Sequence, residues 1–281
     1  MNTDELKKGL KVVQDIAFEA GEILLKYQKK RHDLKVEDKG VNGIASEADI
    51  ESEKFILAEL KNHFPEHFYL SEEDYNVDEE NSYKAAIDAE YSWVIDPLDG
   101  TNNFVNGIPI YAVSIALLKK GKPILGVVYN PTSGECFYGA KDLGAHLIDF
   151  RINPFKVYDL KAGINNKEMK ECIFSPAPVY DNSSKFEQQL SVFRKNIVGA
   201  RAVRRLGSAA LELCYVASGN FDGYWEKHLK PWDVAAAGLI CLEASIVVTN
   251  FDGQEYNTFD ESIIAAANPL HSKILGKIAQ K

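Results

Sequence analysis

The chain has 281 residues, enough for one large domain or for two subdomains that share a sizeable core. Hydrophobic residues make up 46% of it and charged residues 26%, which is the ordinary composition of a soluble globular protein. The net charge of −9 argues against a broad nucleic-acid-binding surface, so direct binding of nucleic acid is not expected. An anionic substrate is still compatible with this charge, because bound metal ions reverse the local potential.

The chain carries no pattern of a secreted or membrane protein. Its first residues lack the apolar core of a signal peptide, and no apolar run is long enough to span a bilayer. The four cysteines are scattered without metal-ligand spacing, and the six histidines form no H-x-x-H or H-E-x-x-H pattern. We therefore expect a cytoplasmic protein without membrane association, whose thiols are reduced and mostly buried.

The first segment predicts two helices. Apolar residues at steps of three or four indicate an amphipathic helix over residues 3–28. A charged loop follows, in which Lys39 is either a solvated side chain or a phosphate ligand. The second helix is predicted over residues 47–63, because Ser46 and Asp49 form a capping-box pattern at its start.

Residues 67–150 predict strands. A short strand over residues 67–71 leads directly to Glu72. The acidic run from Asp78 to Glu90 is expected to be a solvated loop. An antiparallel meander is then predicted from three strands, over residues 109–118, 123–129 and 135–138.

The second half alternates strands with helices, which favours an α/β layer. Helices are predicted over residues 185–195, 234–244 and 269–280, and a further helix after residues 207–210 carries Leu211 to Ala217 and stops at Gly219. The change of character places a subdomain boundary near residue 150. We predict an N-terminal α+β subdomain, residues 1–150, and a C-terminal α/β subdomain, residues 151–281, within a mixed α/β protein.

The stretch over residues 93–104 carries the strongest chemical signal. An apolar run that is typical of a buried strand stops at Asp96 and Pro97, and Asp99, Gly100 and Thr101 follow at once. Proline fixes φ and glycine permits unusual backbone conformations, so both acids lie on a stiff, sharp bend. Two carboxylates on one bend suit a hard cation such as Mg²⁺, although each dipeptide alone is also an ordinary turn former.

Other acids occupy comparable positions. Glu72 follows a predicted strand, and Asp233 precedes a predicted helix, where an N-cap role is the structural alternative. Asp49 and Thr101 are further candidates, with the capping box as the alternative for Asp49. Four carboxylates with few basic neighbours in sequence suit two or three Mg²⁺ ions, which are the usual partners of substrate phosphates. A P-loop is absent from the sequence, which excludes a P-loop NTPase.

These residues resemble a known family. The run from Trp93 to Phe104, together with Pro231-Trp232-Asp233-Val234-Ala235-Ala236, is similar to the two signatures of the inositol monophosphatase family. Further matching segments keep the family's order along nearly the whole chain, at residues 39–42, 46–49, 71–73, 207–210 and 265–269. Two departures occur: Gly43 stands where the family usually has aspartate, and Ser245-Ile246 where it usually has a glycine pair.

The resemblance implies a fold and a metal site. The fold is the layered α-β-α-β-α sandwich of the inositol monophosphatase and fructose-1,6-bisphosphatase type, usually a homodimer. The first Mg²⁺ is expected at Glu72, Asp96 and the backbone carbonyl of Leu98. The second is expected at Asp96, Asp99 and Asp233, and Glu72 also serves a third, weaker ion.

The resemblance also implies roles for the remaining residues. Thr101, oriented by Asp49, is expected to help activate the attacking water, with Glu72 as a further catalytic residue. The amides of Gly100 and Thr101 are expected to bind the phosphate. Contacts to the sugar or polyol, and to the substrate in general, are expected from Asp99, Gly207, Ser208, Ala209, Glu226 and Asp233.

The expected activity is Mg²⁺-dependent, lithium-sensitive hydrolysis of a small polyol or sugar phosphate, with myo-inositol monophosphate first. Relatives with the same metal motifs act on fructose 1,6-bisphosphate, NADP, 3′-phosphoadenosine 5′-phosphate or histidinol phosphate. The metal site contacts only the phosphate and does not separate these substrates. An alternative of another class is a protein-binding regulatory factor in transcription complexes.

Overall fold

The structure, a computed structural model, describes residues 1–38, 44–73, 79–163, 166–177 and 184–279. The helices within these ranges are α1 (Thr3–Gln28), α2 (Glu47–His63), α3 (Glu79–Asp88), α4 (Thr101–Val105), α5 (Ser184–Ile197), α6 (Ala209–Ala217), α7 (Pro231–Glu243) and α8 (Leu270–Ala279). The strands of the first half are β1 (Val36–Asp38), β2 (Ile44–Ser46), β3 (Phe68–Ser71), β4 (Tyr91–Asp99), β5 (Ala112–Lys119), β6 (Lys122–Asn130), β7 (Glu135–Ala140) and β8 (Gly144–Asp149). Those that follow are β9 (Lys156–Leu160), β10 (Ile173–Ala177), β11 (Ala202–Val203), β12 (Gly223–Lys227), β13 (Val247–Thr249) and β14 (Ser262–Ala266).

Two large sheets organise the molecule. The seven-stranded sheet has the order β3-β4-β5-β6-β7-β8-β9, and the five-stranded sheet has the order β11-β10-β12-β14-β13. Helices α1 and α2 pack on the outer face of the larger sheet, and α6 and α7 lie between the two sheets. Helices α5 and α8 cover the outer face of the smaller sheet. The predicted α-β-α-β-α layering is therefore confirmed.

The middle strands of the larger sheet are buried on both faces because helices cover both. Strand β6 accordingly carries a nearly continuous apolar run in place of simple alternation. Gly126 on this strand permits the close approach of α7, since a Cβ there would lie 2.8 Å from the carbonyl oxygen of Ala236. Helix α7 thus packs directly on the middle of the sheet, and its first turn extends to the end of β4.

Several predicted elements are found where the sequence indicated them. Helices α1 and α2 have the predicted limits, and the meander is formed by the antiparallel strands β5, β6 and β7. The apolar stripe of α1 is buried, at Leu6, Leu10, Val13, Ala17, Ala20 and Leu24. The last strand of the larger sheet, β9, lies beyond residue 150 and still belongs to the first sheet. The division into two subdomains stays a prediction.

One element was predicted wrongly. The stretch between Asp78 and Glu90 was expected to be a solvated loop, but most of it forms α3. Ala86 is fully buried in this helix, and its carbonyl oxygen accepts a 2.8 Å hydrogen bond from the hydroxyl of Ser92 on β4. A small apolar face is therefore enough to pack this acidic segment against the sheet.

All four cysteines are free and buried, as predicted. Within the described ranges, no helix combines the length and apolar character that a membrane crossing requires.

Candidate metal centre

A β-bulge at the end of β4 brings Asp96 and Asp99 together. Asp96 pairs with Ser114 of β5 and Asp99 with Ala112, so a step of three residues on β4 faces a step of two on β5. In a regular strand, side chains three residues apart point to opposite faces. The extra residue of the bulge reverses this alternation, which explains why the two carboxylates face the same cavity.

Gly100 turns the chain from the bulge into α4. Its φ is +99°, and a Cβ there would lie 3.0 Å from the carbonyl oxygen of Ile110 and 3.3 Å from that of Gly207. Glycine is therefore required on both conformational and steric grounds. The close approach brings the segment around Gly207 against the bend that carries the acids.

Glu72 reaches the same place from the neighbouring strand. Strands β3 and β4 are parallel, and Ser71 pairs with Ile95. Glu72 and Asp96 are the next residues on each strand, and the carboxyl ends of parallel strands lie at the same edge of a sheet. Both carboxyl groups line the same cavity.

Asp233 completes the acidic cluster from the middle helical layer. It is the third residue of α7 and accepts a 2.7 Å hydrogen bond from the backbone N–H of Lys230, which is the N-cap residue. The predicted capping function is thus present, but Asp233 lies inside the first turn and not at the N-cap. Carboxylate oxygens of Asp96, Asp99 and Asp233 all lie within 4.8 Å of one another.

A hydrogen-bonded pair of side chains, Thr101 and Asp49, lies beside this cluster. The Thr101 hydroxyl lies 2.9 Å from Asp49 Oδ1 and 3.1 Å from the carbonyl oxygen of Leu98. The other oxygen of Asp49 accepts from the backbone N–H and the hydroxyl of Ser46, at 2.7 and 2.6 Å. The capping box and the contact to Thr101 therefore coexist in one carboxylate, and neither excludes the other.

Asp99 also contacts the start of α6. Its Oδ2 accepts a 2.6 Å hydrogen bond from the Ser208 hydroxyl and a 2.8 Å bond from the backbone N–H of Ala210. Gly207 lines the cavity, and Ser208 is the N-cap of α6, immediately followed by Ala209. The orientation of Asp99 is consequently set by a segment from the second half of the chain.

Glu226 lies on β12, outside the residues that line the acidic cavity. Its carboxylate accepts from the Tyr224 hydroxyl and lies 3.6 Å from the guanidinium of Arg205. Burial raises the pKa of Glu226 to about 8, while Tyr224 and Arg205 act in the opposite direction.

The cavity itself has a volume of about 200 Å³. Its lining is entirely neutral or acidic among the described residues, and consists of Ile44, Glu72, Asp96, Leu98, Asp99, Gly100, Thr101, Asn102, Gly207 and Asp233. Eight of the predicted site residues therefore lie on this cavity, whereas Asp49, Ser208, Ala209 and Glu226 stand behind or beside it. Lys39 and Gly43 fall outside the described residues.

Burial and mutual repulsion raise the pKa values of the clustered acids. Burial, followed by the charge of Asp233, raises the pKa of Glu72 to about 8 and that of Asp99 to about 7. Burial raises the pKa of Asp233 to about 6, against the effect of Lys230. Burial and then Glu72 raise the pKa of Asp96 well above its usual range. At neutral pH, burial and mutual repulsion therefore oppose the simultaneous ionisation of these carboxyl groups.

This arrangement fits a hard divalent cation. The donors are all oxygen atoms, Asp96 and Asp99 are buried while Glu72 and Asp233 are half-buried, and without positive charge they repel one another. A cation bound between them would offset both burial and repulsion, which nearby basic side chains do only in part. We conclude that Glu72, Asp96, Asp99 and Asp233 are the chain's metal-ligand candidates.

Sequence reasoning missed the supports of this site. Glu212 accepts from Leu206 in the segment that faces the cavity, and Arg205 lies beside the half-buried Glu226, yet no sequence spacing links either residue to the acids. Only tertiary packing brings them there. Asn102 lines the cavity directly, and its position next to Thr101 was the available signal.

Known proteins match this chain in sequence and in fold along nearly its whole length. The inositol monophosphatase family matches residues 5–281. The fructose-1,6-bisphosphatase/inositol-1-monophosphatase of Aquifex aeolicus is 36% identical, over 99% of this chain and 97% of the relative. The Nus factor SuhB of Pasteurella multocida is 34% identical, over 93% and 92%. The crystal structure of the extragenic suppressor protein suhB from Bartonella henselae superimposes with a TM-score of 0.84 at 31% identity, covering 97% of this chain and 99% of that one.

Proposed function

The chain belongs to the inositol monophosphatase family, and from this membership we propose that it is a Mg²⁺-dependent phosphomonoesterase. Its substrate is a small polyol or sugar phosphate, with myo-inositol monophosphate first, which it hydrolyses to inositol and phosphate. The observation that carries the proposal is the cluster of three carboxylates, those of Asp96, Asp99 and Asp233, whose oxygens lie within 4.8 Å of one another.

Two or three Mg²⁺ ions are the proposed cofactors. Glu72, Asp96 and the carbonyl oxygen of Leu98 would hold the first ion, and Asp96, Asp99 and Asp233 the second. Glu72 would also contribute to a third. When bound, the ions supply positive charge for the phosphate and acidify the attacking water.

Thr101 and Asp49 would manage the proton of that water. The Thr101 hydroxyl donates to Asp49 and keeps lone pairs that accept from water. Asp49 is itself held by two hydrogen bonds from Ser46, so the hydroxyl has a fixed direction. Positioning of this kind is a main source of rate enhancement in phosphoryl transfer.

The substrate would be bound from both sides of the bulge. The amides of Gly100 and Thr101 would bind phosphate oxygens. Asp99, Asp233, the Gly207–Ala209 segment and Glu226 would bind the hydroxyl groups of the polyol. Carboxylates are suited to this role because they accept hydrogen bonds from hydroxyls.

The alternative functions either keep the phosphatase chemistry with another substrate or replace it with a protein-binding role. The name of the Aquifex aeolicus relative includes fructose-1,6-bisphosphatase, which keeps that substrate open. NADP, 3′-phosphoadenosine 5′-phosphate and histidinol phosphate are further candidates. The Pasteurella multocida relative is named a Nus factor, which favours a protein-binding role in transcription complexes as the second candidate function. We further propose a cytoplasmic homodimer.

Phosphate release tests the enzymatic proposal. Purified protein is assayed with inositol monophosphate and with each of the alternative phosphate esters named above. Each assay contains Mg²⁺ or EDTA, with or without Li⁺. We expect Mg²⁺-dependent turnover of inositol monophosphate that Li⁺ inhibits. An absence of turnover on every compound would rule out the phosphatase and leave the protein-binding candidate.

A further inference from the structure

Both backbone hydrogen-bonding groups of Leu206 are paired. Its carbonyl oxygen accepts a 2.6 Å hydrogen bond from the side-chain amide of Asn103, and its N–H donates a 2.8 Å bond to Glu212 Oε1. Asn103 Nδ2 also lies 2.8 Å from the carbonyl oxygen of Ile110. One amide nitrogen therefore joins α4, the loop after it and the segment between β11 and α6.

The Glu212 carboxylate is held firmly in place. Glu212 is only 1% exposed, and it also accepts a hydrogen bond from the hydroxyl of Ser175 on β10. Its contact to Leu206 consequently comes from α6, braced by the smaller sheet, whereas the contact of Asn103 comes from α4, which follows β4 of the larger sheet. The two contacts meet on one residue.

Leu206 precedes the groups that orient Asp99. Gly207 follows with φ +80°, and a Cβ there would lie 3.2 Å from Asn103 Nδ2, so its backbone packs directly on the Asn103 amide. Ser208 and Ala210 then donate their hydrogen bonds to Asp99. A movement of the Leu206 backbone would therefore move the donors that fix the carboxylate.

We propose that Asn103 and Glu212 are positioning residues that hold the segment Leu206–Ala210 against the Asp96–Asp99 bulge. Neither side chain belongs to the cluster of metal-ligand candidates, and they act through Ser208 and Ala210 on Asp99. Only the activity measurement below rests on the proposed phosphatase function.

Three substitutions test the Asn103 contact. Asn103→Ala removes both donated bonds, and Asn103→Asp keeps the shape but turns oxygen atoms toward the carbonyls of Leu206 and Ile110. We expect Asn103→Asp to be the more damaging, because acceptors that face acceptors repel. The matched control is Asn106→Ala. Asn106 is exposed in the same region, and its side-chain amide donates to the carbonyl oxygen of Asn102.

A second pair tests the Glu212 contact without touching α4. Glu212→Gln retains an acceptor oxygen for Leu206 N–H, so we expect it to be close to wild type, whereas Glu212→Ala loses the contact. The control is Glu243→Ala, because Glu243 also accepts from two backbone amides, those of Asp142 and Gly144, at 3.0 and 2.9 Å. These amides belong to the β7–β8 turn, far along the sheet from the bulge.

Three readouts separate positioning from general stability. Hydrogen exchange of residues 206–210 should accelerate about tenfold in Asn103→Asp, Asn103→Ala and Glu212→Ala, and in neither control. The Mg²⁺ concentration that gives half of the maximal rise in melting temperature should increase severalfold. With the best substrate of the wild type, kcat should fall about 10- to 100-fold.

The outcomes are distinct. Unchanged exchange at residues 206–210, or equal effects of Asn103→Ala and Asn103→Asp, would overturn the proposal. If the Asn103 variants fail to fold, rescue by Glu212→Gln relative to Glu212→Ala decides, and the absence of such rescue also overturns it. If the wild type hydrolyses no substrate, the phosphatase proposal fails, while hydrogen exchange and the Mg²⁺ titration still test the positioning of Asp99.

Discussion

The carboxylate of Asp99 belongs to the acidic cluster and is also a hydrogen-bond acceptor. It faces Asp96 and Asp233 in the acidic cluster, and its Oδ2 accepts from Ser208 and Ala210. The donors occupy one oxygen atom and leave the other for the cavity. A carboxamide at this position would keep the size of the side chain but lose its charge.

We predict that Asp99→Asn abolishes phosphatase activity and leaves the fold intact. The variant loses an anionic ligand, so Mg²⁺ should no longer raise its melting temperature to the wild-type extent. Without metal, its melting temperature should equal or exceed that of the wild type, because a buried like charge is removed. Calorimetry with EDTA or Mg²⁺ measures both effects.

The control for this variant is Asp15→Asn, on the exposed side of α1, where Asp15 pairs with Lys11 at 2.6 Å. It should retain full activity. An Asp99→Asn enzyme that turns over at the wild-type rate would remove Asp99 from the ligand set.

Thr101 tests whether the hydroxyl or the side-chain volume matters. Thr101→Ser keeps the hydrogen bond to Asp49, and Thr101→Val keeps the shape without it. We expect kcat of Thr101→Val to fall about 10²- to 10⁴-fold, the range of general acid–base contributions, and Thr101→Ser to stay within about tenfold of wild type. Equal activities of the two variants would contradict a role of the hydroxyl in proton transfer.

At the scale of elements, helix ends and strand ends were predicted better than the segments between them. Glu72, Asp96 and Asp233 follow from local rules, because strand ends and capping acids have recognisable patterns. Helix α3 was missed because the acidic residues within and beside it favour a solvated loop, whereas the buried Ala86 packs this segment against β4. The partners of Glu212 are distant in sequence, so no local pattern identifies them.

The end of α7 offers a stability prediction. Ser245, where the family usually has a glycine pair, has φ +65° and is exposed just after the helix. A non-glycine residue in this left-handed region is strained by about 1 kcal/mol. Ser245→Gly should therefore stabilise the protein by about 1 kcal/mol with unchanged activity, as measured by urea denaturation.

A control for the gain at Ser245 is Gly276→Ala in α8, where a Cβ meets nothing within 4 Å. Adding a methyl group to an open helix position should stabilise by about 0.5–1 kcal/mol. A loss of stability in Ser245→Gly, alongside this gain at Gly276, would show that the serine side chain stabilises the turn.

At the scale of the whole molecule, the site joins the larger sheet to the middle helical layer. Asp96 and Asp99 come from β4, Asp233 from α7, and Ser208 from the start of α6. The sequence indicated the layering chiefly through the family resemblance, since alternation of strands and helices alone does not fix how two sheets stack. Docking of the layers and formation of the acidic cluster are therefore the same event.

The cluster makes the stability of the metal-free protein depend on pH. The pKa values of Glu72, Asp99 and Asp233 rise on folding, to about 8, 7 and 6, so the folded state retains protons that the unfolded state has lost. This contribution to stability is complete below pH of about 4 and is lost as pH rises through about 6 to 8. Between about pH 6 and pH 8, we expect the free energy of unfolding in EDTA to fall by on the order of 3 kcal/mol.

Thermal unfolding between pH 5 and 8.5 checks this expectation. Mg²⁺ should stabilise the protein more at pH 8 than at pH 5.5, because carboxylates bind metal only when they are deprotonated. The triple substitution of Glu72, Asp99 and Asp233 by their amides should flatten the profile. A wild-type melting temperature that rises with pH in EDTA would contradict the assigned sign.

The bulge at the end of β4 has a consequence for how this chain tolerates change. The three-residue step from Asp96 to Asp99 lies opposite a two-residue step on β5, so the bulge depends on the number of residues between the two acids. A one-residue deletion would leave the acids two residues apart, on one face of a regular strand, but would remove the extra residue that shapes the bend before Gly100. Changes of length between the two acids should therefore damage the site more than most substitutions there.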